Sequence, residues 1–172
     1  MRDLGWLSAS LFILGVSSGP TFGDVAATTL PERKAGLWEL KTQMDEGNGP
    51  KDQIMKMCID ADMEKNTVMG SIADHKANCS AYNIKTSGGS TIVDADCVYN
   101  GRKVVSTTNM SGDFQSTFKI TIDSTTTDPK QTAQSVVVKR TITQLGTFVG
   151  SACGELKPGE AEAPDGTRLL VQ

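Results

Sequence analysis

The most regular pattern in the chain is an alternation of apolar and polar residues that begins at Gly36. Over residues 36–44, one face carries Trp38, Leu40, Thr42 and Met44. A period of two residues is typical of a half-buried strand. A second segment of this kind, over residues 53–59, follows the chain-breaking sequence Gly47-Asn48-Gly49-Pro50 and carries Met55, Met57 and Ile59 on one face. The pattern therefore predicts two strands separated by a turn.

Helical periodicity replaces this alternation after Ile59. Apolar residues that could share one side of a helix are Met63, Val68, Met69 and Ile72. Asp60 or Asp62 can cap such a helix, because a carboxylate there accepts hydrogen bonds from the free N–H groups of the first turn. We predict one short helix over about residues 61–72.

Strand patterns return from Ser80 onward. The turn sequences between them are Ser87-Gly88-Gly89, Asn100-Gly101 and Ser111-Gly112-Asp113, and Asn-Gly favours a two-residue hairpin turn. Beyond the first hairpin, strands are predicted over residues 103–110, 114–122, 136–142 and 148–153, with a loop over 125–131. Successive strands joined by tight turns form an antiparallel meander. The predicted fold class is mainly β, a single domain with a curved antiparallel β-meander or open barrel and one short helix.

The two ends of the chain differ from this middle part. A charged start precedes a mostly apolar run over residues 4–16, which Ser17-Ser18-Gly19-Pro20 ends. This is the pattern of a secretory signal peptide, and the run is shorter than the roughly 20 residues of a membrane-spanning helix. We predict a signal peptide over residues 1–27 with cleavage after residue 23 or 27, a β-rich domain over 33–154 and a flexible tail over 155–172. The mature protein is then periplasmic or secreted, without a transmembrane segment.

Four cysteines in an exported chain predict two disulfides. Cys79 and Cys97 each lie nine residues from Gly88. A hairpin centred on Gly88 places these two cysteines opposite each other, with Ala81 opposite Ala95 and Ile84 opposite Ile92, and opposed residues on a ladder are near disulfide distance. We therefore predict Cys79–Cys97 and, by elimination, Cys58–Cys153.

The order of these features resembles a known family. The residues that carry the resemblance are Gly36-Leu37-Trp38-Glu39, Met57-Cys58-Ile59-Asp60, Cys79 and Cys97 around a glycine turn, Gly112-Asp113-Phe114 and Cys153-Gly154. Over residues 33–154 the chain resembles an exported bacterial family catalogued as domain of unknown function 3617. One departure follows Cys58, where the family often has Leu-Thr-Pro-Glu and this chain has Ile59-Asp60-Ala61-Asp62. The resemblance implies an envelope or secreted location and a β-rich fold, and it supplies no catalytic or binding residues.

Composition and motifs exclude several functions. The 172 residues carry a net charge of -3, whereas a nucleic-acid-binding protein is expected to have a basic face. No cofactor is predicted, because no P-loop sequence is present. His75 is the only histidine, and we interpret it as a solvated loop residue. Residues 60–64 begin like a calcium loop, but Lys65 and Ser71 occupy the positions that need glycine and glutamate, so no metal site is predicted.

Three functions remain as hypotheses. The first is a non-enzymatic envelope protein whose curved sheet holds a small apolar ligand or a segment of an envelope protein. Its candidate ligand-lining residues are Trp38, Met44, Met110 and Phe118, although an apolar strand position is more often simply core. The second is a structural or interaction protein with a filled core and no ligand. The third is a hydrolase that uses Asp94 and Asp96, since paired carboxylates on one strand face can cleave glycosidic bonds.

Overall fold

Ten strands and one helix make up the part of the chain that the structure describes. The structure is a computed structural model, which describes residues 25–26 (backbone only), 29–128 and 137–171. The elements are β1 (Val25–Ala26), β2 (Gly36–Asp45), β3 (Lys51–Ile59), α1 (Ala61–Asn78), β4 (Cys79–Ser87), β5 (Ser90–Tyr99), β6 (Arg102–Gly112), β7 (Thr117–Thr127), β8 (Val137–Gly150), β9 (Glu160–Glu162) and β10 (Arg168–Leu170). The predicted signal peptide lies outside the described residues except for β1.

All strands belong to one antiparallel sheet with the order β1-β4-β5-β6-β7-β8-β2-β3-β9-β10. The predicted meander is the run from β4 to β8, and the hairpin β2–β3 joins it because β8 also pairs with β2. The two outermost strands, β1 and β10, each have a single neighbour, so the sheet is open. The predicted fold class is confirmed.

Helix α1 connects the two parts of the sheet, from the end of β3 to the start of β4. Asp60 is its N-cap and accepts hydrogen bonds from the backbone N–H groups of Asp62 and Met63. The helix continues to Asn78, six residues beyond the predicted end. The prediction stopped at Ile72 because the apolar pattern stops there, but residues 73–78 contain neither proline nor glycine, and the helix runs directly into β4.

The first meander hairpin confirms one disulfide but corrects the predicted register. Gly88 and Gly89 both have positive φ and form a two-residue turn, so Ile84 lies opposite Val93 instead of Ile92. This is a shift of one residue from the predicted register. A bulge between Cys79 and Ala81 absorbs the extra residue and restores the alignment of Cys79 with Cys97. This hairpin disulfide is present, and so is the long-range disulfide between Cys58 and Cys153.

The end of the chain differs from the prediction. The two strands predicted over 136–142 and 148–153 are one strand, β8, because backbone pairing with both neighbours carries it across its polar middle. Residue 136 and residues 129–131 of the predicted loop lie outside the described residues. The expectation of a flexible tail over 155–172 is also corrected, since β9 and β10 form a hairpin that pairs with β3. Ala161 of this hairpin is 1% exposed, and its small side chain gave no signal in the sequence.

The apolar core lies on the face of the sheet that carries α1, which we call the inner face. Trp38 is completely buried there, and its indole Nε1 donates a 2.7 Å hydrogen bond to the backbone carbonyl of Lys34. Its ring lies 5.3 Å from that of Phe118 and 5.5 Å from that of Phe148, measured between centroids. The buried members of this cluster are Trp38, Leu40, Met57, Ile59, Phe114, Phe118 and Ala161.

The turn between β6 and β7 brings Phe114 into the core. The carboxylate of Asp113 accepts hydrogen bonds from the backbone N–H groups of Gln115, Ser116 and Thr117 and from the hydroxyl of Ser116. These bonds hold the pKa of the Asp113 carboxyl well below its usual range. Phe114 has a φ of 56° and stacks on Phe118 with 5.2 Å between ring centroids. The turn therefore presents an aromatic ring to the space between the sheet and α1.

Candidate functional site

A cavity of about 210 Å³ lies between α1, the sheet and the chain that precedes β2. Its floor is the inner face of β6, β7 and β8, with Met110, Ile120 and Gln144, and the adjoining Phe114. One wall is the side of α1 that carries Glu64, Thr67, Val68 and Ser71. The opposite wall is residues 29–33, which we call the N-terminal strap, with Leu30, Pro31 and Arg33. The space is partly open to solvent, and we call it the helix cavity.

The ionised side chains that line the helix cavity pair with each other. The Arg33 guanidinium donates from Nε to Glu64 Oε1 at 2.9 Å and from Nη2 to Glu64 Oε2 at 2.7 Å. The backbone N–H of Arg33 donates to the same Oε1 at 2.9 Å. Glu64 is 3% exposed, and the guanidinium also lies 6.0 Å from the centre of the Phe118 ring. Because the pair is bidentate and largely shielded from water, it neutralises the cavity and ties the strap to α1.

The cavity exists because α1 does not pack closely on the sheet. Of its 18 residues, Glu64 is the one that is buried, and on the side facing the cavity Val68 and Ser71 are half-buried and Thr67 is exposed. A helix over a sheet usually buries a broad apolar stripe. Here Met63 reaches the core cluster near the N-terminal end, whereas polar Thr67 and Ser71 face the cavity in the middle.

The C-terminal end of α1 rests on aromatic side chains. The His75 ring stacks on Tyr82 with centroids 4.8 Å apart and meets the edge of Tyr99 at 6.4 Å. The Tyr99 hydroxyl donates to the carboxylate of Asp74 at 3.2 Å. Burial raises the pKa of both tyrosine hydroxyls, and for Tyr99 the bond to Asp74 adds to the effect. The interpretation of His75 as a solvated loop residue is therefore corrected, because the helix extends through it.

The four predicted ligand-lining residues lie in different places. Met110 lines the helix cavity. Trp38 and Phe118 are part of the filled core. Met44 lies beside a depression of only about 30 Å³ near the β2–β3 turn.

Asp94 and Asp96 lie on the opposite, outer face of the sheet, and each is held by a neighbouring strand. Asp94 accepts a 2.9 Å hydrogen bond from the hydroxyl of Thr107, and Asp96 pairs with the ammonium group of Lys103 at 3.0 Å. The outer face also has an open polar groove of about 500 Å³ near Asp123. Within the described ranges, no three histidine, cysteine or carboxylate side chains are grouped so that they could hold a metal ion.

Sequence reasoning missed the walls of the helix cavity. Glu64 was treated as part of a calcium-like segment, and Arg33 only as the first residue of the predicted β-rich domain. One signal was available, since Glu64, Val68, Ser71 and His75 follow each other at spacings of four, three and four residues. Such spacing defines one side of a helix. A carboxylate on that side needs a basic partner when it is buried, and the sequence does not show where that partner comes from.

Comparison with known protein families shows which family the chain belongs to. The architecture is an open antiparallel sheet with one helix across its inner face and two disulfides. The model of a family described as protein of unknown function (DUF3617) matches residues 33–153. The chain belongs to this family. Searches of curated proteins and of solved structures find no match. No helix in the described part of the chain is long and apolar enough to cross a membrane.

Proposed function

We propose that this protein is an exported, non-enzymatic binding protein that holds a small, neutral and mainly apolar ligand in the helix cavity. The observation that carries the proposal is a cavity with an apolar floor beneath a loosely packed helix. Its ionised side chains, Arg33 and Glu64, already neutralise each other. A charged ligand would have to break this buried pair, whereas a neutral ligand would not.

The size of the cavity limits the ligand. A dry cavity of about 150 Å³ accepts benzene, and sites for drug-sized ligands span about 300–1,000 Å³. At about 210 Å³, the helix cavity has room for a single ring or a short branched chain. Ser71 and Gln144 supply a hydroxyl and an amide for one polar group of that ligand.

Two features support export to the periplasm or beyond. The N-terminal sequence has the pattern of a signal peptide, and both cysteine pairs form disulfides, which is consistent with an oxidising, extracytoplasmic location. Intact-mass measurement on protein from its native host tests this proposal. The mature chain is expected to lack 23 or 27 residues, and a full-length cytoplasmic product would contradict export. Cleavage after residue 23 keeps β1, and cleavage after residue 27 removes it.

A non-enzymatic role is supported by the engagement of the candidate catalytic groups. Asp94 and Asp96 are bound to neighbours on the outer face, and the ring of His75 on α1 is stacked on Tyr82 of β4. The competing hypothesis, a structural or interaction protein without a ligand, is favoured by the burial of the apolar cluster around Trp38.

Nuclear magnetic resonance titration with benzyl alcohol separates the two roles. We expect the amide signals around Met110 and Ile120 to shift on titration, and sodium benzoate to produce no such shift, because its carboxylate would meet Glu64. Val68→Phe should fill the cavity from the helix side and abolish the shifts. Met69→Phe is the matched control, since Met69 is 53% exposed on the same helix. Absence of shifts in the unmodified protein, or shifts that Val68→Phe leaves unchanged, would favour the role without a ligand.

A further inference from the structure

We infer that the uncovered part of the β3 edge, residues 51–55, binds an extended segment of another protein, which adds one strand to the sheet. We call these five residues the free edge. The cleft beside the free edge shares no lining residue with the helix cavity, so binding here does not rest on the proposed ligand.

The free edge exists because β9 is much shorter than β3. β3 has nine residues, and β9 is in register with only two of them, Lys56 and Met57. The chain then turns away from β3 at Ala163 and Pro164, and a proline has no N–H to donate to a neighbouring strand. In the part of the chain that the structure describes, no strand pairs with residues 51–55 on this side.

The backbone of the free edge points outward at alternate residues. The carbonyl of Cys58 accepts a hydrogen bond from the N–H of Gly159, so Cys58 directs its backbone groups towards β9. β3 pairs with β2 without a register shift, and alternate residues of a paired strand direct their backbone groups to the same side. Asp52 and Ile54 therefore direct their N–H and C=O groups away from β2, and both can exchange hydrogen bonds with an added antiparallel strand.

A cleft of about 290 Å³ lies where the added strand would meet the end of β9. Its apolar lining consists of Ile54, Met55, Ala163 and Pro164. Ile54 is 44% exposed, although it is a large aliphatic residue on a strand. A dry cavity of about 150 Å³ accepts benzene, so the cleft has room for an aromatic side chain. Aromatic and β-branched residues form favourable cross-strand pairs, and we therefore expect an aromatic residue opposite Ile54.

Charge decides the residue two positions further along the added segment. This residue lies opposite Asp52 on the outer face. The Asp52 carboxylate is 3.6 Å from the ammonium of Lys41, and its side chain is still 48% exposed. A basic residue opposite it forms a favourable pair. The rim of the cleft favours the same charge, because Lys56 lies in register between two carboxylates, Glu39 and Glu162.

A second copy of this chain fits the free edge poorly. Two copies related by a two-fold axis pair residues of the same face. The registers that pair three or more residues of the free edge place Asp52 opposite Asp52, Ile54 or Lys56 of the other copy. The first repels, and the second sets a carboxylate against an apolar side chain. The third is blocked, because β9 already lies beside Lys56. The free edge is thus suited to a partner of different sequence.

Nuclear magnetic resonance titration with the peptide acetyl-Phe-Thr-Arg-Thr-amide tests the free edge. In the antiparallel arrangement, its Phe lies opposite Ile54 and its Arg opposite Asp52. We expect saturable downfield shifts of these two amide protons below about 10 mM peptide. Gln53 and Met55 should shift less, because their N–H groups already face β2. Replacing the peptide's Arg by Glu should weaken binding about threefold. Absence of saturable shifts, or equal shifts at all four amides, would overturn the inference.

Three variants separate the backbone and charge contributions. Ile54→Pro removes an outward N–H and spares the pairing with β2, so affinity should fall about tenfold or more while the tryptophan fluorescence stays unchanged. Asp52→Asn should keep the shifts and lose the preference for Arg over Glu. Leu145→Ser is the matched control and should leave affinity unchanged, since Leu145 is 45% exposed on the same face but two strands away from the edge.

Two further outcomes would contradict strand addition by a different protein. One is peptide binding that Ile54→Pro leaves unchanged, because the outward N–H would then play no part. The other is a dependence of the Asp52 and Ile54 amide shifts on protein concentration without peptide, because this would assign the free edge to a second copy.

Discussion

The contact between Phe118 and Gly146 offers a quantitative test of the core. The two residues are direct partners on the β7–β8 ladder, and the Phe118 ring lies over Gly146 so closely that a Cβ at this glycine would overlap it. Phe118 cannot move aside freely, because Trp38 and Phe114 contact it on its other sides. We expect Gly146→Ala to lower the free energy of unfolding by about 1–3 kcal/mol, the usual cost of overpacking.

A double-mutant cycle shows whether this clash is the cause. Phe118→Ala alone should cost about 3–5 kcal/mol, since Phe118 is 3% exposed in the core cluster. Combined with Gly146→Ala, it should cost less than the sum of the two by about 1–3 kcal/mol, because the new methyl group then occupies vacated space. Urea unfolding followed by tryptophan fluorescence provides the free energies. Gly150→Ala in the same strand is the control and should change stability by less than about 0.5 kcal/mol, since no atom lies within 4 Å of its Cβ position. If the losses in unfolding free energy caused by the two substitutions simply add, the clash with Phe118 is not the cause of the Gly146→Ala effect.

Three further perturbations test other parts of the structure. Replacing Cys58 and Cys153 by serine should lower the free energy of unfolding by about 4 kcal/mol, because the long-range disulfide spans 95 residues, yet far-ultraviolet circular dichroism should keep its β signal. Complete loss of that signal would mean that the meander is not stable without the long-range disulfide. Asp113 has a pKa below its ordinary value of 3.8, so it contributes stability above about pH 4 that is lost as the pH falls. Asp113→Ala should therefore flatten the decline in stability measured by urea titrations between pH 5 and 2, and an unchanged decline would contradict this. Gly70→Ala should raise the free energy of unfolding by about 0.5–1 kcal/mol in the same assay, because glycine is unfavourable in a helix interior. A Cβ atom added at residue 70 would have no other atom within 4 Å, so a loss of stability would contradict this prediction.

Local patterns predicted the strands and the helix start because each depends on neighbouring residues. The alternation around Trp38 and the cap at Asp60 are of this kind. The register of the first hairpin was missed by one residue, since symmetry about Gly88 does not reveal whether the turn contains one glycine or two. The disulfide was nevertheless predicted correctly because a bulge restored the alignment.

The helix cavity could not be predicted for a different reason. It depends on Arg33 and Glu64, which lie 31 residues apart and meet only when the strap crosses the inner face. Met110 was identified because an apolar residue on a strand is a candidate for any interior surface. Trp38 and Phe118 were candidates on the same grounds, and only three-dimensional packing distinguishes a filled interior from an open one.

The position of β8 in the sheet has a consequence for the order in which the molecule is made. The hairpin β2–β3 and the strands β4–β7 are synthesised first, and each set can pair locally. They are connected through α1, but their strands form two separate sheets until β8 emerges, because β8 pairs with both β7 and β2. The Gln144 side chain of β8 donates a hydrogen bond to the hydroxyl of Thr42, 102 residues earlier in the chain. Pairing over such a distance is slow. Until it occurs, the edge of β2 is open and the indole of Trp38 lacks Phe148 as a cover. Most of the chain is thus synthesised before the tertiary structure can close.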